Sequence, residues 1–181
     1  MSARNTTDSW GWVAKSLHWL IFFLMLAAWF AVESHEDFPK GSAERAQWVL
    51  LHKSFGASVF FLVWLRLYWR LSGLVPEPEP APRWQLRLAS LMHWALYAMM
   101  ILMPLSALMA SQFSGRPAPF FGIFEIPAVL AGNKPLAGQL MGLHKEILWP
   151  LLLVLIAGHA GAALWHHFLT KDRTMRRMLP F

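Results

Sequence analysis

Seven of the eight histidines in this chain, His18, His52, His93, His144, His159, His166 and His167, fall within or at the ends of apolar segments, and His35 alone sits in an evident loop. Imidazoles are costly in hydrocarbon; where they occur they face a bundle interior, and each is a functional candidate. What a neutral imidazole offers there is a nitrogen lone pair for a metal: two converging from facing helices for six-coordinate haem iron, or a ligand for a transported ion such as zinc. The chain has no cysteine. Thiolate-held iron–sulfur clusters, disulfides and haem attached through C-x-x-C-H are therefore excluded.

The elements that must position these rings follow from composition. Of 181 residues, 56% are hydrophobic and 14% charged, the latter about half the share of a soluble domain. Charge-free runs cover Ser16 to Val32, Ser54 to Leu65, Leu88 to Gly115 and Ile147 to Thr170, and with their flanks each approaches or exceeds the roughly 20 residues that cross a bilayer. The second run borrows Trp48 to His52 and leaves Arg66 and Arg70 to reach for the headgroups. The expected fold is an all-α integral membrane protein, a bundle of four transmembrane helices at about 14–34, 48–71, 86–111 and 141–169, forming one membrane domain over 1–181. A Pro-rich inner loop spans 72–85, and an outer loop rich in Phe, Gly and Pro spans 112–140. The polar lead Met1 to Lys15 runs straight into a long apolar segment with no small-residue cleavage site, so the first span is expected to be retained. Most of the tryptophans lie near span ends, as interfacial belts require.

Charge sets the expected orientation. Arg4, Lys15, Arg66, Arg70, Arg83, Arg87, Lys171, Arg173, Arg176 and Arg177 lie on one side, against Lys40, Arg45, Lys53, Arg116, Lys134 and Lys145 on the other. The ten-to-six excess puts both termini in the cytoplasm of a bacterial inner membrane protein. The isoelectric point near 10.2 thus reflects topology; no nucleic-acid motif accompanies it, and the partners it implies are membrane lipids.

Depth then pairs the histidines. The first span runs outward and puts His18 near the inside, while the second runs inward and puts His52 near the outside. On the fourth span His144 and His159 are fifteen residues apart, an axial separation of about 22 Å and an angular offset of about 60° on an ideal helix. His18 with His159 on the inner side, and His52 with His144 on the outer side, are therefore the expected pairs, with His93 or His166 as substitutes for His18 at its depth. Gly56, Gly158 and Gly161 would admit a flat macrocycle or simply close helix packing. Met99, Met100 and Met103 read as packing residues.

The segments "SLHWLIFFLMLAAWF", "LHKSFGASVFFLVWLRLYWRL", "HWALY", "LHK" and "GHAGAALWHHFLTKDRTMRRMLP" together resemble the bacterial cytochrome b561 family over nearly the whole chain. The resemblance implies two non-covalent haem b groups, each held by two histidines, with His18, His52, His144 and His159 as axial ligands to the haem iron. It also implies a superoxide:ubiquinone oxidoreductase, since one characterised relative oxidises superoxide at the periplasmic side and passes the electron to ubiquinone. The outer basic residues would attract a small anion, although Glu33, Glu36, Asp37, Glu44, Glu125 and Glu146 balance them.

On this reading one electron crosses from an outer to an inner haem and reduces a quinone at the inner rim, where His93, His166 and Lys15 are candidate contacts because quinone reduction needs donors and protons. Arg66 and Arg70 are candidate partners of haem propionates, although positive-inside placement also accounts for them. His167 points about 100° away from His166 and has no assigned part. A second reading keeps the haems in a cytochrome b subunit fed by a periplasmic redox protein; a third replaces haem with zinc and lacks acidic ligands within the spans. Stacked-haem helices commonly separate their ligands by thirteen or fourteen residues, so the interval of fifteen, with Pro150 inside it, predicts a local widening of the helix that absorbs one residue.

Overall fold

The computed structural model describes residues 2–180. The chain is mostly helical, and its apolar runs form four continuous rods of 26, 30, 31 and 37 residues, each long and apolar enough to cross a membrane. At 1.5 Å per residue these are roughly 39 to 55 Å long, more than the hydrocarbon thickness of about 30 Å. The rods are α1 (Trp12–Ser34), prolonged by a 3-10 turn at His35–Asp37; α2 (Ala43–Ser72); α3 (Arg83–Phe113); and a composite last rod. That last rod comprises α4 (Lys134–Gly142), a π-helical turn at Leu143–Leu148, α5 (Trp149–Trp165) and a second π turn at His166–Thr170.

Helix starts are fixed locally. Ser42 caps α2 by accepting from the Arg45 N–H, and Asn133 caps α4 by accepting from the Leu136 N–H; each satisfies an N–H that the first turn would leave unpaired. These caps carry helix further than the sequence predicts. Residues 134–140, expected in the outer loop, are helical, because Asn133 starts the helix and Pro135 is tolerated in a first turn. The remaining outer connection holds a β-hairpin, β1 (Ala118–Phe120) against β2 (Phe124–Ile126). Its turn places Phe121 and Gly122 at φ 50° and 71°, the left-handed pair that matches the twist of two-stranded ribbons.

The interior is small. Met99, Leu148 and Leu152 form its buried centre, with Met25, Leu96, Met103, Leu155 and Ile156 packed around them, so Met99 and Met103 pack as expected. Large apolar side chains such as Phe30, Leu91 and Val154 lie exposed on the outer faces, where lipid rather than water is their solvent. Helix association then rests on close packing and hydrogen bonds rather than on burial from water. Two hydroxyls inside the rods return to their own helix: Ser54 and Ser58 donate to the carbonyls of Leu50 and Ser54, which leaves neither donor stranded in hydrocarbon.

The described N- and C-terminal segments and the loop between α2 and α3 lie at one end of the bundle, called here the terminal end. There Glu77 N–H donates to Thr7, Arg177 donates to the Glu77 carbonyl, and the Trp19 indole donates to Met178. Gly11 is required at this junction, since a Cβ there would lie 2.4 Å from the Ala3 carbonyl oxygen. The β-hairpin marks the opposite, hairpin end.

Candidate functional site

At the hairpin end α2 presents His52 to His144 in the π turn of the last rod, with ring centroids 6.3 Å apart and planes at 88°. Each ring is held by a different helix. His52 Nδ1–H donates to the Ala28 carbonyl of α1 at 2.9 Å, and His144 Nδ1–H donates to the Met103 carbonyl of α3 at 2.8 Å, with the Ser106 hydroxyl at 3.2 Å. A carbonyl can only accept, so both rings carry their proton on Nδ1 and keep the Nε2 lone pair free. Met103 and Ser106 flank Pro104 inside α3, where the helix has already lost a regular backbone hydrogen bond.

At the terminal end three histidines meet. His18 of α1 lies 6.2 Å from His159 of α5, with planes at 74°, and His93 of α3 lies 5.5 Å from His159. Here the hydrogen bonding reverses: Arg66 Nη1 donates to His18 Nδ1 at 2.7 Å, and its Nε donates to the Tyr97 hydroxyl at 3.1 Å. The Arg70 guanidinium lies 5.8–6.0 Å from the centroids of Trp10, Trp94 and Tyr97, within cation–π reach. Among the described residues neither arginine has a carboxylate within 4 Å. Two unmatched cations at the edge of an apolar bundle call for an anion.

The widening predicted between His144 and His159 is present, on the N-terminal side of Pro150. Trp149 N–H donates to the His144 carbonyl five residues back, the π pattern. The turn absorbs one residue, so fifteen residues act as about fourteen α-helical steps and the offset changes from about 60° to about 40° in the opposite sense.

The three residues considered for a quinone contact are not gathered into one recess. Lys15 lines a recess of about 280 Å³ with Trp12, Ser16, Trp19 and Pro180. His93 faces His159 instead, and His166 Nδ1–H donates to the Asp172 carboxylate beyond the second π turn. His35, placed in a loop by the sequence, is half-buried in a 3-10 turn that continues α1 and is bonded to the Val32 carbonyl. Gly158 faces Met92, whose Cε would be 3.1 Å from an added Cβ, whereas Gly56 and Gly161 have no such neighbour within 4 Å. Arg45 donates both to His35 and to Phe38, so this hairpin-end cation is spent on holding the α1–α2 connection.

Sequence reasoning missed two contacts. The Phe121 N–H donates to Ser54 Oγ at 2.7 Å and its ring lies 5.5 Å from Phe55, so the hairpin tip is pinned two residues from His52. The bond from Arg66 to His18 crosses between helices 48 residues apart, and no local pattern announces it.

The model of the prokaryotic cytochrome b561 family matches residues 9–181. The chain belongs to this family. It is 33% identical to cytochrome b561 homolog 1 of Escherichia coli strain K12 over 91% of this chain and 93% of that protein, and 33% identical to homolog 2 of the same organism over 99% and 95%. It is also 31% identical to a protein of Yersinia pestis named "Probable superoxide oxidase CybB", over 91% and 92%. Membership makes it a multi-pass membrane protein of electron transfer and implies b-type haem.

The residues fit such a group. A metal–nitrogen bond of about 2.0 Å plus an imidazole centre-to-nitrogen distance of about 1.1 Å, doubled, gives roughly 6.2 Å between two rings sharing one metal. His52–His144 and His18–His159 stand at 6.3 and 6.2 Å, whereas His93–His159 at 5.5 Å is too close. Among the described residues no cluster of three or more His, Asp or Glu side chains could hold a bare metal ion.

Proposed function

We propose that this cytochrome carries electrons across a bacterial inner membrane between the two histidine pairs, oxidising superoxide at the hairpin end and reducing ubiquinone at the terminal end. The observation that carries the reading is the pair of facing imidazole couples at opposite ends of one bundle, each spaced for a single iron. Two b-type haems, when bound, supply one-electron relay without an open iron position. His52 and His144 hold one of them and His18 and His159 the other. The Ala28 and Met103 carbonyls fix the hairpin-end rings, since a hydrogen bond to the outer ring nitrogen orients a ligand and raises its basicity.

Both termini are cytoplasmic on this reading, in accord with the excess of basic residues at their end. Superoxide gives up one electron and leaves as dioxygen; Lys53 and Arg116 are the hairpin-end cations to draw it in. Two such electrons, delivered one after the other from two superoxides, reduce one ubiquinone with two protons at the terminal end. Lys15, in a recess walled by Trp12 and Trp19, presents an ammonium donor against aromatic faces suited to a flat ring. Arg66 and Arg70, with no carboxylate within 4 Å among the described residues, are the partners for haem propionates.

Haem quantification and a reduced-minus-oxidised spectrum of the purified chain test the ligand map. The parent is expected to hold two b haems, with one lost in His52→Ala and the other in His159→Ala; a chain without haem overturns the map. Rapid mixing of the oxidised protein with low micromolar superoxide tests the donor. Failure to reduce the haems would favour the alternative, a cytochrome b subunit relaying electrons from a periplasmic redox protein.

A further inference from the structure

The hydrogen bond at His18, in the terminal-end pair, is opposite in kind to those at both members of the hairpin-end pair. His52 and His144 both donate from Nδ1 to backbone carbonyls, which makes their Nε2 atoms more electron-rich and favours the oxidised, more positive state of a bound iron. His18 accepts from Arg66, a group that stays charged at any relevant pH. A fixed positive charge at hydrogen-bond distance in a low-dielectric setting favours the state holding one more electron.

Neighbouring charges do not cancel this contrast. At the terminal end Glu79 is paired with Arg177 at 3.3 Å and Asp172 with His166, so among the described residues no carboxylate lies within 4 Å of Arg66, and Arg70 adds a second cation on the same side. At the hairpin end the nearby cations are lysines: Lys145 is exposed to solvent and its neighbour in sequence is Glu146, while Lys53 is half-buried with Glu125 and Arg116 as its charged neighbours. Solvent and counter-charge weaken both.

We infer that Arg66 makes the terminal-end pair the more oxidising of the two, so that an electron arriving at the hairpin end comes to rest beside Arg66. The inference rests on the reading that each pair holds a haem. In the present arrangement His18 carries its proton on Nε2; ligation of iron there as a neutral ring would move that proton to Nδ1, and Arg66 would release this nitrogen. Arg66 would then turn to a haem propionate and offset a negative charge that otherwise favours the oxidised iron. Arg66 is thus a positioning residue for the electron, acting through the charge it places beside the terminal-end pair.

Spectroelectrochemical titration of the haem-loaded protein tests this. The parent is expected to titrate as two components, and the one that survives His52→Ala is the higher. In Arg66→Gln the higher component shifts downward, its reduction equilibrium falling by at least about tenfold, as loss of a unit charge at this distance requires, while the lower component stays in place. Arg66→Lys restores most of the shift, which a purely structural role would not produce. A higher component unmoved by Arg66→Gln, or a surviving component in His52→Ala that is the lower one, overturns the inference. The ordering in His52→Ala and His159→Ala and the Arg66→Lys value decide the matter even where Arg66→Gln does not load haem. Fewer than two haems in the parent would instead overturn the ligand reading itself.

Discussion

Asp172 closes the last helical rod just after Lys171 has turned the chain through a left-handed conformation at φ 57°. Its carboxylate accepts from His166 Nδ1–H, from the Thr170 hydroxyl at 3.0 Å and from the Thr174 N–H at 2.8 Å. Partial burial works against the charged form, but the bonds from His166, Thr174 and Thr170 outweigh it and hold the carboxyl well below the usual range. A carboxyl depressed in the folded state contributes stability above its unfolded pKa of about 3.9, and that contribution disappears as pH falls through the folded value. Thermal unfolding in detergent is therefore expected to show Asp172→Asn less stable than the parent by a constant margin from pH 7 to about 5, narrowing below about pH 4. A margin that widens in acid would refute this account of the cap.

At the scale of elements, the π turn at Leu143–Leu148 holds one residue more than an α-helix would. Deleting Ile147, which is exposed on the lipid side, removes that residue and is expected to leave a regular helix with both histidines still facing their partners. Haem content should stay at two per chain, whereas inserting one alanine at the same place should lower it; a deletion that loses haem would sink the register argument. The need for this turn was legible because Pro150 and an interval of fifteen residues conflict with a straight helix. The four long helices were legible too, since charge-free runs of that length have few alternatives in water or lipid. The hairpin was not: in "RPAPFFGIFEIP" the prolines argue against strands, and the turn forces Phe121, a bulky residue, into left-handed geometry at a cost of about 1 kcal/mol. Only the hydrogen bond to Ser54 and the contact with Phe55, both distant in sequence, account for it. The crowding of His93 against His159, and the bond from Arg66 to His18, likewise depend on how the helices rotate against one another, which periodicity does not specify.

Across the whole molecule, the last rod supplies one member of each facing pair, His144 at one end and His159 at the other, while the partners come from α2 and α1. Neither couple exists until that rod has entered the bilayer beside its predecessors. If each couple holds a haem, the first three helices offer only half-sites, and loading waits on the last rod. A chain ended after residue 130 is expected to bind no haem in isolated membranes, measured by pyridine haemochrome. One ended after residue 157 would at most load the hairpin-end couple, and stable retention by a chain lacking 144–181 would contradict the scheme. On the proposed ligand map, synthesis of the polypeptide and supply of its pigment would be timed by the order of the helices along the chain.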